Sequence, residues 1–190
     1  RQRGSSQQAL HFAAQTVMSG SMDVVIAAGV ESMSRVPMGT NVVLPQKAGM
    51  GHYMSPAIRE RYPDVQEFSQ FVGAEMLVSK YGLDKDQLDA YALSSQQRAI
   101  EATRAGRFAD EIVPVEAILH DGTRTGELHT VDEGIRFDTS LEAIQGVQPL
   151  REGGSISATT ASQICDGAAG VMVVNERGLK ALGVEPLARI

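Results

Sequence analysis

The sequence predicts an α/β fold carrying a loop-rich insertion, and three observations make that prediction. Near the start, Leu10, Ala13, Ala14 and Val17 recur at the i, i+3, i+4, i+7 spacing of a helix, and the apolar run Val24-Val25-Ile26-Ala27-Ala28 follows at once. Such an unbroken run is the pattern of a strand covered on both faces, as in a parallel sheet. A second run of this kind occupies 168–174. Between the two, Pro37, Gly39, Pro45, Gly49, Gly51, Pro56 and Pro63 punctuate a stretch with no such strand, the texture of an inserted subdomain. The expected divisions are 1–34, 35–154 and 155–190.

Ser5 or Ser6 is placed to cap the first helix and Gly20 to stop it. Gly29 ends the first strand. Inside the insertion, a helix is expected over 67–81, with Ala74, Leu77, Val78 and Tyr81 on one face and Gly82 closing it. Asp84 opens a second helix: its carboxylate caps while Gln87, three residues on, reaches back. Leu88, Tyr91, Ala92, Ala99 and Ala102 then form an apolar face up to Gly106. The stretch 111–119 reads as a strand in which Pro114 lacks a ladder donor, which assigns it to an edge or a bulge. His120-Asp121-Gly122 makes a turn, and Thr139 with Glu142 forms another capping box for a short helix. After the second buried-type strand, a helix over 176–182 stops at Gly183, and an extended segment begins near Pro186.

Composition narrows the partners. The chain has 17 Lys+Arg against 23 Asp+Glu, a net charge of −6, which opposes a nucleic-acid-coating surface. No apolar run reaches the roughly 20 residues that cross a bilayer, and the first residues do not lead into a signal-peptide core. Neither a membrane nor a nucleic acid is an expected partner. The single cysteine, Cys165, excludes a disulfide within this chain and a cysteine-built zinc site. It fits the cytoplasm or another reducing compartment.

Candidate chemistry is sparse. His11, His52, His120 and His129 are read as structural or solvated residues, and no metal is expected. Gly49-Met50-Gly51-His52 has neither a preceding buried strand nor a following Lys-Ser/Thr, which argues against a nucleotide cradle. Cys165 has no local base or cation and reads as a buried small hydrophobe. Met33, Met38, Met50 and Met54 stand in loop-like sequence, where they either line an apolar pocket or fill core gaps. The position before Gly4 is different. It lies where a loop meets a helix start, and there the positive helix end and unpaired N–H groups would turn a cysteine into a thiolate nucleophile. That residue is Arg3.

The segment Gln2-Arg3-Gly4-Ser5-Ser6-Gln7-Gln8-Ala9 resembles the nucleophile segment of thiolases, with arginine in place of cysteine. Gly29-Val30-Glu31-Ser32-Met33-Ser34 is similar to the family's Gly-x-Glu-x-Met-Ser turn, and Gly73-Ala74-Glu75 with Lys80-Tyr81-Gly82 to its first loop-domain helix. Gly106-Arg107-Phe108-Ala109-Asp110-Glu111-Ile112-Val113-Pro114-Val115 is close to its most legible stretch. Asp132-Glu133-Gly134-Ile135-Arg136, Thr139 to Glu142 and the segment 157–169 continue the likeness in order over nearly the whole chain.

The resemblance implies a layered αβαβα fold, present here in part, with the insertion as a loop domain that supplies much of a coenzyme A pocket. It implies acyl transfer: thiolytic cleavage of 3-ketoacyl-CoA or Claisen condensation of acyl-CoAs. Coenzyme A thioester is then the substrate, no resident cofactor is implied, and homo-oligomers are the family habit. Arg136 matches a position beside the adenine end of coenzyme A, and Ser162 matches a serine of the pantetheine channel. A guanidinium suits both stacking on a base and pairing with phosphate. Without the resemblance, Arg136 reads as a solvated charge and Ser162 as a turn residue.

Departures from the family pattern are as informative. Arg3 stays protonated and cannot form an acyl-thioester. Gln70-Phe71 stands where many members have Met-Gly, Thr159-Thr160 where Gly-Asn is usual, and Gln163 where glycine is usual. The family's Gly-His-Pro and Cys-x-Gly-Gly-Gly motifs do not occur in these 190 residues. The first expectation is therefore a piece of a thiolase, inactive alone and of low independent stability. A non-catalytic homologue that keeps a coenzyme A or subunit surface is the alternative. A ketoacyl synthase relative is a third, which the 106–115 stretch and the long insertion disfavour.

Overall fold

The structure, a computed structural model, describes residues 4–190. In chain order the elements are α1 (Ser5–Met18), β1 (Val24–Ser32), α2 (Thr40–Lys47), α3 (Pro56–Arg61), α4 (Gln70–Tyr81), α5 (Lys85–Arg104), β2 (Val115–Ile118), β3 (Arg124–His129), α6 (Leu141–Gln145), β4 (Asp166–Val174) and α7 (Glu176–Leu182). They form two compact units. One joins the residues up to Gly51 with Ile164–Ile190, and the other is His52–Gln163.

In the first unit, β1 and β4 pair antiparallel, from Val24 opposite Val174 to Ser32 opposite Asp166. The parallel, doubly covered arrangement expected from the two apolar runs is corrected in both respects. Strand alternation turns Val25 and Ala27 of β1 and Val173 of β4 toward α1, where they pack with Leu10, Ala13, Ala14 and Val17. Among the described residues, no layer covers the opposite face: Ile26 is 64% and Val30 80% exposed. An apolar run records what residues tolerate in a core, and here only one face meets a helix. Gly29 does not end β1 either, since pairing continues to Ser32. The N-cap of α1 is Gly4, with no side-chain cap bond. Ser5 and Ser6 already belong to the helix, past the position from which a hydroxyl caps.

The second unit is built on α4 and α5. Gly82, at φ 62°, closes α4 in a left-handed conformation that a Cβ would strain. Asp84 and Gln87 form the full reciprocal capping box of α5. On that helix Lys85 Nζ reaches the fully buried Asp89 at 2.5 Å and also donates to the Gln145 carbonyl at 3.2 Å, which ties α5 to the end of α6. Ser140, rather than Thr139, caps α6 by accepting the Ala143 N–H. The 111–119 strand is shorter than expected. It starts just after Pro114 and pairs with β3 through a shift between Glu116 and Ile118, a bulge close to where the proline placed it.

Candidate functional site

The 132–139 loop is organised by its own backbone. Asp132 Oδ1 accepts the Gly134 N–H at 2.7 Å, an Asx-type turn, and the Thr139 N–H closes back on the Arg136 carbonyl at 3.2 Å. α5 fixes the loop from outside: the Arg136 N–H donates to Gln96 Oε1 at 2.9 Å. The Arg136 guanidinium is exposed, and among the described residues its one side-chain bond is a long 3.4 Å donation to the Glu133 carbonyl. Its cationic head is thus held at the surface yet largely uncommitted. Next to it, Phe137 lies under the Arg104 guanidinium, 5.9 Å from ring centroid to carbon. The two residues form one wall of an open groove of about 530 Å³, completed by Gln97, Ile100, Glu101 and Ala105.

A second segment, 154–163, is held at both ends. At its start the Glu75 carboxylate, carried by α4, accepts the N–H groups of Ser155 and Ile156. Ser157 is fully buried; its hydroxyl meets Thr159 Oγ1 at 2.6 Å, and its N–H donates to Thr160 Oγ1 at 2.9 Å. Thr159 therefore supplies a local turn bond that the glycine usual at its position could not. Ser162 is exposed just beyond this turn. At the far end Gln163 Nε2 donates to the Gly134 carbonyl at 2.9 Å. The fold thus brings the residues flanking Ser162 and Arg136 into one bonded arrangement within the second unit. Arg3 lies outside the described residues.

Other sequence candidates fall elsewhere. Cys165 is exposed rather than buried, in the irregular stretch just before β4. Of the four loop methionines, Met54 is core, at 3% exposed, whereas Met50 and Met38 face outward. His52 stacks on Tyr53 with centroids 4.4 Å apart and accepts the Met54 N–H, a structural role. His129 does have an acidic neighbour four residues on, Glu133, at 3.8 Å, although this exposed pair is far short of a metal ligand set. In the first unit, Asp166 accepts the Ser34 hydroxyl at 2.5 Å, the Ser34 N–H at 2.9 Å and the Ser32 hydroxyl at 3.0 Å. The Ser34 hydroxyl foremost, with its N–H and Ser32, holds the Asp166 carboxyl below the ordinary range. This network pins the turn after β1 to the start of β4.

Sequence reasoning quoted Glu75 only as part of a motif and passed over Gln96. A carboxylate on one helix reaching N–H groups 80 residues away leaves no periodic trace.

The thiolase N-terminal domain family matches residues 1–177 of the chain. The chain belongs to the thiolase family. Among its relatives, a steroid 3-ketoacyl-CoA thiolase of Mycobacterium tuberculosis is 44% identical over 195 residues, covering 100% of this chain and 45% of that protein. An acetyl-CoA acetyltransferase of Pseudomonas aeruginosa is 38% identical, over 98% of this chain and 48% of its own length. The chain thus spans just under half the length of these thiolases. Among solved structures, the human mitochondrial 3-ketoacyl-CoA thiolase in complex with CoA superimposes with a TM-score of 0.71 at 30% identity, over 97% of this chain and 46% of that one. The dimeric peroxisomal thiolase of Saccharomyces cerevisiae gives 0.74 at 26% identity, over 95% and 43%. The α/β fold is accordingly a partial thiolase fold. No helix among the described residues is long and apolar enough to cross a membrane.

Proposed function

We propose that the chain serves thiolase-type acyl transfer, on 3-ketoacyl-CoA or between acyl-CoAs, by contributing a coenzyme A-binding surface formed around Arg136 and Ser162. The Gln163–Gly134 hydrogen bond, which holds the segments of both residues together, is the observation that carries this reading. An exposed guanidinium beside Phe137, with no carboxylate bonded to it among the described residues, suits the base and phosphates of the ligand. The relatives named 3-ketoacyl-CoA thiolases favour 3-ketoacyl-CoA as the substrate class, and the dimeric peroxisomal thiolase favours a homo-oligomer as the assembly, whereas fatty-acid β-oxidation as the setting rests on the family resemblance alone.

The 190-residue polypeptide by itself binds without turning over. Arg3 offers no thiolate, and neither a Gly-His-Pro nor a Cys-x-Gly-Gly-Gly motif is present to supply base and second thiol. Arg3 also favours the second reading, a non-catalytic homologue that binds coenzyme A or a thiolase-like subunit. Calorimetric titration with coenzyme A tests the binding claim: saturable binding that Arg136→Ala weakens several-fold is expected, and no binding contradicts it. Arg3→Cys should leave acetoacetyl-CoA cleavage undetectable in this polypeptide, and turnover by that variant contradicts the claim of silence.

A further inference from the structure

Gln163 Nε2 donates to the Gly134 carbonyl at 2.9 Å, and Gly134 sits two residues before Arg136 on a loop that Asp132 and Gln96 already hold. The fit is close on both sides. A Cβ on Gly134 would stand 2.8 Å from Gln163 Nε2 and 3.0 Å from Asp132 Oδ1, so the absence of a side chain at Gly134 is what admits the amide. Ser162 is the immediate neighbour of Gln163 in sequence, and Glu75 and the Ser157 turn hold the same segment from its other end. Among the described residues, no other hydrogen bond or ion pair joins 159–163 to 132–136.

We propose that Gln163 is a positioning residue, a strap that fixes the spacing between the Arg136 loop and the Ser162 segment for a ligand that touches both. The inference rests on the coenzyme A reading above. Its physical basis is pre-organisation: a ligand spanning two segments loses affinity when their separation is free to vary, and a ligand touching one segment does not. A single exposed amide–carbonyl bond sets the scale at about three- to tenfold in affinity.

Calorimetric titration compares the parent chain with Gln163→Met, which keeps the length and removes the donor, and with Gly134→Ala, which displaces the amide. The probes are coenzyme A and adenosine 3′,5′-bisphosphate, the latter able to reach the Arg136 side alone. Both variants should bind coenzyme A about three- to tenfold more weakly, with adenosine bisphosphate unchanged within about twofold. Gly134→Ala should cost less once Gln163 is methionine than it does in the parent chain, because the two changes share the loss of the Gln163 bond while the crowding of Asp132 Oδ1 belongs to the alanine alone. Unchanged coenzyme A affinity in Gln163→Met overturns the strap while leaving the binding surface standing. Equal weakening of both probes also overturns it, since that is the mark of general loosening. A parent chain that binds neither probe overturns the coenzyme A reading itself, and the strap with it.

Discussion

Glu75 accepts the Ser155 N–H with both of its carboxylate oxygens, at 2.9 and 3.1 Å, and Oε1 takes the Ile156 N–H as well, at 2.9 Å. One side chain of α4 thereby sets the entry of the whole 154–163 segment. Glu75→Ala leaves two partly buried N–H groups without their charged acceptor and should cost about 2–3 kcal/mol. Glu75→Gln keeps one acceptor oxygen and should cost about half as much. Urea unfolding monitored by circular dichroism measures the order, and equal losses in the two variants would show that charge is irrelevant there.

Lys85 and Asp89 form a pair with one fully buried member, and Asp89 Oδ1 has no hydrogen-bond partner among the described residues. Lys85→Met strands a carboxylate in the interior and should destabilise by about 3–5 kcal/mol. The double variant Lys85→Met/Asp89→Leu should recover most of that loss, since both charges are then gone. Thermal midpoints of the single and double variants decide it; a double variant no better than the single contradicts the account.

Asp166 gives a pH dependence whose sign follows from its hydrogen bonds. Its folded-state pKa is held below the ordinary 3.8 by the Ser34 hydroxyl first. The contribution to stability is therefore complete above the unfolded-state value and is lost as pH falls through the folded one. Ser34→Ala should raise the Asp166 pKa toward 3.8 and narrow this acid-side window, read by NMR titration of the carboxyl carbon. An unshifted titration in that variant would show that the serine hydroxyl does not hold the charge.

How much the sequence disclosed depended on the range of the interaction. The Asp84–Gln87 capping box and the Gly82 and Gly183 stops were legible because each is settled within a single turn of chain. α2 was not, since Pro45 lies inside it. β3 was missed because Arg-Thr-Gly-Glu-Leu-His has no alternation and a single apolar residue, Leu128; its support comes from Glu116, which pairs with Arg124, and from the Ala117 carbonyl, which accepts the Thr125 hydroxyl. The apolar character of β1 was read correctly and its burial was not, for periodicity cannot say whether a covering layer exists. At the proposed site, Arg136 and Ser162 were accessible through family likeness, whereas Gln96, Glu75 and the contact of Gln163 were not, because their partners lie 29 to 81 residues away.

The uncovered face of β1 and β4 predicts low local stability. Amides of Val24–Ser32 and Asp166–Val174 should exchange with deuterium early in the isolated monomer, ahead of those in α5. Strong protection of both strands in a verified monomer would contradict this.

The central claim is that Arg136 and Ser162 lie on one ligand surface, and amide NMR of the 190-residue chain during a coenzyme A titration tests it most directly. Shifts concentrated at Gly134, Arg136, Phe137, Ser162, Gln163 and Gln96 are the predicted result. Shifts confined to the β2–β3 hairpin or the first unit, or none at saturating coenzyme A, would contradict it.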